Sequence, residues 1–225
     1  AWIMNQTQNF SNKDSLKSLI EVLNTQNQEL RLLYETSRFF STTLDINELY
    51  DKLFDILRNL VDFQDMFVAR FNESKRIIKY IYLRSVLEQD RIDVSVIPEI
   101  PLAPEGKGII SEAIRKNDTV VIHDYQKRLH ASTKYHVTNE GSLSDKDMGK
   151  EYLIESAMIV PIKLNGKILG FITLMSKNKK VFEEKNLGWI ETMVNQAAIA
   201  NKNAILYSDS IASTTENKAL SDGLE

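Results

Sequence analysis

The sequence predicts an α+β fold in which a mostly antiparallel sheet of about six strands carries helices against it. Three observations lead there. Apolar residues recur at helical spacing near both ends of the chain, and no Gly or Pro interrupts the stretch from Leu16 to Phe40. The interior instead holds runs of β-branched and aromatic residues separated by turn-like segments. Two of those runs meet at Asn165-Gly166, a pair that tolerates positive φ and closes a tight hairpin.

Taken in order, Leu16, Leu19, Ile20, Leu23, Leu30, Leu33 and Phe40 mark a first long helix. The stripe is narrow and broken by polar residues 24–29, which suits a coiled-coil seam and predicts a homodimer. Asp45 followed by Glu48 forms a capping box, and Ile46, Leu49, Leu53, Ile56, Leu57 and Leu60 then give a second helix a broad face to bury. Met66 to Phe71 and Ile77 to Leu83 read as a hairpin across Asn72-Glu73-Ser74-Lys75. A third extended stretch, Arg91 to Leu102, contains Pro98 and Pro101 with Pro104 just beyond, so it belongs at a sheet edge or in an irregular connection.

After Gly106-Lys107-Gly108, a short helix is expected over Ile109 to Lys116, ending near Asn117, with a strand over Thr119 to Ile122 directly behind it. From Tyr125 to Glu151 the chain is polar and without a clear period, a length that suggests a lid or an insert. Ser156 to Leu164 and Lys167 to Met175 form the closing hairpin. A last long helix is expected from Phe182 to about Ser213, its inward face marked by Leu187, Ile190, Val194, Ala197, Ala198, Asn201, Ala204, Ile205 and Tyr207. Beyond it the chain turns polar.

Composition narrows the function. Twenty-eight Lys and Arg against 31 Asp and Glu give a formal net charge of −3, so no global field attracts nucleic acid or an anionic membrane. There is no cysteine, which removes disulfides, thiolate metal sites and thiol chemistry. No apolar run approaches the ~20 residues a spanning helix needs, and no signal peptide opens the sequence, so a cytoplasmic location without membrane insertion is expected. Ala1-Trp2-Ile3 and Leu224-Glu225 read as cloning remnants and are set aside from the fold argument.

Individual motifs are weaker. His123-Asp124 lacks the further His and Asp ligands of a metal phosphohydrolase, and the three histidines, His123, His130 and His136, fit neither a helical metal pair nor a zinc finger. Haem ligation by one of them stays open. Gly106-Lys107-Gly108 lacks the third Gly of a dinucleotide loop and the Gly-Lys-Ser/Thr ending of a phosphate loop, and no Gly-x-Ser-x-Gly elbow exists for a nucleophile. Lys177, Lys179, Lys180 and Lys185 form one basic cluster, read as a solvated rim.

Two segments resemble the GAF domains, small-molecule-binding sensor modules related in fold to PAS domains. They are LAPEGKGIISEAIRKNDTVVIHDY, from Leu102, and SAMIVPIKLNGKILGFITLM, ending at Met175. The first is similar to the family's Gly-rich entry, short helix, strand and loop-opening Asp. The second is similar to its closing hairpin, with a small residue, an apolar run to Pro161 and Gly170 opening the last strand. The resemblance covers about Leu44 to Ala204, and implies a dimerisation helix over residues 1–43, a sensor domain over 44–204, a linker over 205–225 and an output domain beyond Glu225.

It also implies a ligand pocket between sheet and short helix, lined by Phe67, Ala69, Ile109, Ala113, Asp124, Tyr135, His136, Ser156, Ala157 and Thr173, with Phe67, Ala69 and Ala113 equally able to serve as plain core. Family members that hold a bilin or reduce free methionine sulfoxide depend on cysteine, so those uses are excluded, and a regulatory domain rather than an enzyme is expected. Cyclic-nucleotide members carry an Asn-Lys…Phe…Asp-Glu motif. Here Ser176-Lys177, Phe182 and Asn186 fall at its place, a partial match that makes cyclic AMP or cyclic GMP the first-choice ligand. A ligand-free dimerisation module and a non-covalent haem sensor are the alternatives. Asn27 and Asn201 are candidates for setting helix register.

Overall fold

Asp45 shows how local chemistry starts the domain. Its carboxylate accepts from the backbone N–H groups of Asn47 at 2.7 Å and Glu48 at 3.3 Å, satisfying two donors that helix α2 (Ile46–Leu60) cannot pair internally. A computed structural model describes residues 2–86, 93–130, 136–137, 143–144 and 154–222. The chain divides into two units, Ala1–Thr42 and Thr43–Glu225.

The first unit is helix α1 (Trp2–Thr42), about 60 Å long at 1.5 Å per residue. Its last turn is tied off by Ser41 and Thr42, whose hydroxyls donate to the Arg38 carbonyl. Leu16, Leu19, Ile20, Leu23 and Leu30 are exposed along it.

The second unit is built on strands β1 (Asp65–Asn72), β2 (Ile77–Ser85), β3 (Ile100–Pro101), β4 (Val120–Ile122), β7 (Ser156–Leu164) and β8 (Lys167–Ser176). A separate two-residue ladder pairs β5 (His136–Val137) with β6 (Leu143–Ser144). The six-stranded sheet runs β3-β2-β1-β8-β7-β4, every pair antiparallel, which is the sheet the sequence predicts. The Pro-bearing stretch contributes only β3, at the edge. The Asn165-Gly166 turn has both residues at positive φ, +50° and +78°, the twist a two-residue hairpin needs. Pro161 lies in β7 two residues past Ile159, the last residue paired with β4, where a missing N–H costs least.

Helix α3 (Ile109–Lys116) ends on Asn117 in the left-handed conformation, as expected. Helix α5 (Glu184–Asp222) starts two residues later than the sequence suggests and continues past Ser213. Phe182 therefore precedes the helix and is buried. The stretch expected to be a featureless lid opens with helix α4 (Tyr125–His130). Helices α2 and α5 pack on each other and on the sheet through Leu53, Leu57, Ile190, Val194 and Ala197, all buried. Met193 and Ala200 are buried on α5 as well, although the inward face read from the sequence omits them. The Tyr82 hydroxyl donates to Asp51 at 2.7 Å and the Asn201 amide donates to the Tyr50 hydroxyl at 2.9 Å, fixing this layer. Among the described residues, no helix is long and apolar enough to cross a membrane.

Candidate functional site

Successive residues of a strand point to opposite faces, so register decides which side chains share a site. Phe67 pairs with Thr173, Ala69 with Phe171, Ala157 with Met175 and Ile159 with Thr173. These residues form the face opposite α2 and α5. Between Val68 and Ala69 the β1–β2 register shifts: Val68 pairs with Tyr82 and Ala69 with Tyr80, leaving Ile81 as an extra residue. That bulge separates two tyrosines which plain alternation would put on one side. Tyr82 joins Tyr50 under α2, ring centroids 5.3 Å apart, while Tyr80 joins Phe67 on the other face, edge to face at 5.8 Å.

Helix α3 covers this second face, inserting Ala113 into a cluster with Ala69, Ile78, Ile122, Ala157, Ile159 and Phe171. Gly108 makes the approach possible. It sits at φ +72°, and a Cβ there would come within 2.9 Å of the Ala103 Cβ. The Ser111 hydroxyl accepts from Ala103 N–H at 3.0 Å, and Arg115 donates to the Ala103 carbonyl, so the turn before α3 is tied to the helix itself. Helix α4 is joined to α3 by the Arg128–Glu112 ion pair. Its first residue is pinned by Tyr125 N–H donating to Glu155 O at 2.8 Å, and Gln126 donates to Ile154 O at 2.7 Å.

The three alanines Ala69, Ala113 and Ala157 are buried, yet Phe67, Tyr80, Ile109, Met175 and Tyr125 around them each keep accessible surface. Burial raises the Tyr125 phenol to about 12 and the Tyr80 phenol further, with Tyr125 itself adding to the rise at Tyr80. Tyr80, Ile109, Met175 and Tyr125 pack against the alanine-centred cluster and, with Phe67, carry the accessible surface of this face. Small side chains lie at the centre of this face with partly exposed aromatic ones beside them, an apolar surface carrying a few hydroxyls. Among the described residues, no group of three or more His, Cys, Asp or Glu could hold a metal ion.

The residues expected at the site divide as follows. Phe67, Ala69, Ile109, Ala113, Ala157 and Thr173 are brought together on this face. Ser156 is not, because it precedes Ala157 in β7 and points the opposite way, donating to the Asn178 carbonyl at 2.6 Å. Asp124 is exposed and serves as a helix cap, accepting from Lys127 N–H at 3.1 Å and pairing with Lys179 at 3.8 Å. His136 contributes backbone pairing with Ser144. Tyr135 lies outside the described residues. Tyr80 and Tyr125 were not among the expected residues. The sequence of β2 carried no signal for Tyr80, because plain alternation puts it on the same side as Tyr82 and only the pairing with β1 separates them.

Ser176-Lys177, at the place of the cyclic-nucleotide motif, staples the end of β8 to the α2–β1 junction. The Ser176 hydroxyl donates to Asp62 O at 2.9 Å, and Lys177 N–H donates to the Gln64 side chain at 2.6 Å.

Known proteins share this arrangement. The GAF domain from an Acinetobacter phosphoenolpyruvate-protein phosphotransferase is 11% identical with a TM-score of 0.57, over 80% of this chain and 96% of that one. Residues 122 to 287 of a methyl-accepting chemotaxis protein are 16% identical with a TM-score of 0.55, over 76% and 98%. The free methionine-R-sulfoxide reductase from Neisseria meningitidis, solved with its substrate, is 16% identical with a TM-score of 0.52, over 78% and 91%. At such identities the likeness is one of fold. No curated protein is significantly similar to the chain. The sequence family described as GAF domain matches residues 43–200, the greater part of the 225 residues, taking in the whole of the sheet, helices α2, α3 and α4, and α5 as far as residue 200. The chain therefore belongs to the GAF domain family.

Proposed function

We propose that this protein is a regulatory sensor without enzymatic activity, which takes a small molecule into a recess between the sheet and helices α3 and α4 and passes the occupancy on through its terminal helices. GAF domains are typical of sensory and signalling proteins. The observation that carries the reading is the contrast between the two faces of the sheet. Large, fully buried side chains such as Tyr50, Leu53, Met66, Met158 and Ile172 fill the α2–α5 side, whereas on the other side Ala69, Ala113 and Ala157 lie beside the buried Ile159 and Phe171 and the partly exposed Phe67, Tyr80 and Tyr125. The absence of cysteine argues against the reductase chemistry of some family members.

Strand β7 is the shared wall through which occupancy can be relayed. Ala157 and Ile159 face the recess, and Met158 and Val160 face the side against which α5 packs. A second link is Thr119, at the start of β4, whose hydroxyl donates to Glu191 on α5. A ligand shifts α5 only as far as its affinity differs between two arrangements of these elements. The exposed apolar residues of α1, with Leu16, Leu23 and Leu30 seven residues apart, support a homodimer through the terminal helices and an output domain joined to them.

A thermal-shift panel of cyclic AMP, cyclic GMP, haem and small uncharged heterocycles tests the reading. The cyclic-nucleotide arm rests on Lys177 and Phe182, the two motif positions kept. A saturable rise in Tm is expected from at least one member, since a ligand at a hundred times its Kd stabilises by about 2.7 kcal/mol. No rise from any member at millimolar concentration sinks the sensor reading and leaves a dimerisation module. A monomer by light scattering at tens of micromolar would defeat the dimer.

A further inference from the structure

We infer that Asn165 is a site of spontaneous deamidation, at which the Gly166 backbone nitrogen attacks the Asn165 side-chain amide and leaves aspartate or isoaspartate in the β7–β8 turn. This goes beyond the sensor reading and holds whether or not a ligand binds.

Asn165-Gly166 is the sequence's only Asn-Gly pair. Glycine matters there because any other residue at 166 sets a Cβ beside the attacking nitrogen. Both residues are exposed, and a Cβ placed on Gly166 meets nothing within 4 Å, so water and hydroxide reach the reacting atoms. The closing bond of a two-residue turn joins the residues on either side of it and leaves the central Gly166 N–H unused. Among the described residues, no hydrogen bond or ion pair holds the Asn165 amide. Other asparagines are engaged: Asn72 accepts from Lys75 N–H at 3.0 Å, Asn178 donates to Asp62 at 3.0 Å and Asn201 donates to Tyr50 at 2.9 Å.

Closing a five-membered ring requires the Asn165 carbonyl to rotate out of the left-handed turn it occupies at φ +50°. That opening is local. The β7–β8 register shifts between Ile162 and Lys163, so only the pairs Lys163–Ile168 and Leu164–Lys167 lie between the bulge and the turn. An exposed hairpin end of this kind opens without disturbing the core ladder.

The chemistry balances with solvent alone. Hydroxide takes the Gly166 amide proton, the nitrogen bonds to Asn165 Cγ, and the Cγ–Nδ2 bond breaks, with Nδ2 leaving as ammonia on a proton returned from water. A water molecule then opens the cyclic imide at either carbonyl. One water is consumed and one ammonia released, and the formal net charge of −3 gains one further negative charge as the new carboxylate ionises. The aspartate product keeps the turn, because Asp-Gly suits the same positive φ values. The isoaspartate product carries an extra methylene in the main chain and cannot keep Leu164 opposite Lys167.

Peptide mapping by mass spectrometry, on the folded full chain held in warm, mildly alkaline buffer, tests this. Asn165 should convert before any other asparagine, with release of ammonia, appearance of an acidic form on ion exchange and a rate that rises in proportion to hydroxide. The isoaspartate fraction, isolated by ion exchange and identified by isoaspartyl methyltransferase labelling, should melt roughly 2–8 °C below the parent as the bonds of the hairpin end are lost. The aspartate form, made directly as Asn165→Asp, should melt within about 2 °C of it. Asn165→Gly, at ease at positive φ, should remain folded and lose the acidic form. The inference is overturned if Asn165 stays unchanged in the folded chain while the urea-unfolded chain converts, if another asparagine converts first, or if the acidic form persists in Asn165→Gly. An isoaspartate fraction that melts with the parent overturns the stated effect on the turn.

Discussion

Gly170→Ala tests whether the centre of the sheet is packed as described. Gly170 lies in β8 opposite Arg70 of β1, and a Cβ placed on it falls 2.0 Å from the Ala69 carbonyl oxygen and 3.2 Å from the Arg70 Cα. Both neighbours are backbone in the middle of a six-stranded sheet, so no side chain can swing aside. A tolerable contact needs about 1 Å more, and opening β1 from β8 by that much takes N–H···O distances near 2.9 Å beyond hydrogen-bonding range. Overpacking costs about 1–3 kcal/mol and each buried ladder bond lost about 1 kcal/mol or more, for a total of about 3–5 kcal/mol. At about 2–4 °C per kcal/mol for a domain of this size, Tm should fall by about 10–15 °C in differential scanning calorimetry. Gly188→Ala is the matched control. Gly188 is exposed within α5 with nothing within 4 Å of the added carbon, so the change should stabilise by about 0.5–1 kcal/mol. If Gly170→Ala melts within about 2 °C of the parent, the β1–β8 approach is wrong.

Three further outcomes follow from the same structure. Asp45→Ala removes the acceptor that holds Asn47 and Glu48 N–H, and should lower stability by about 1 kcal/mol in urea unfolding, whereas Asp45→Ser should largely retain it. Burial raises the Tyr50 phenol to about 12, above its ordinary value of about 10, so the folded chain holds a proton that the unfolded chain releases. That contribution is intact below pH 10 and lost as pH climbs toward 12. At pH 11 it amounts to about 1.4 kcal/mol, to be read as the part of the pH 9-to-11 drop in urea midpoint that Tyr50→Phe abolishes. Ala113→Leu fills the recess from α3. It should abolish ligand-induced thermal shifts while costing about 1–3 kcal/mol in overpacking, and full ligand response in a folded Ala113→Leu protein would place the site elsewhere.

What the sequence made legible was what local chemistry decides. The Asp45 cap, the Asn165-Gly166 hairpin, the α3 stop at Asn117 and the edge position of the Pro-bearing stretch each depend on a few adjacent residues, and each stands where it was expected. Features set by pairing between distant segments were not legible. The bulge at Ile81 follows from how β2 lies against β1, and nothing in residues 77–85 alone says that Tyr80 and Tyr82 part company. Ser156 and Ala157 cannot share a face once β7 is extended, and only the register with β8 shows which of them turns inward. Helix α4 has six residues, too few for a 3.6-residue period to emerge, so Tyr125 was hidden at the head of a polar stretch.

The central claim is that ligand occupies the face made by Ala69, Ala113 and Ala157 and leaves the layer under α5 intact. Alanine methyl labelling tests it directly, because the control is in the same spectrum. On saturation with any ligand that raises Tm, the methyl signals of Ala69, Ala113 and Ala157 should shift most, and those of Ala197 and Ala200 on α5 should move far less. Largest shifts at Ala197 and Ala200, with the three recess methyls unmoved, would contradict the account.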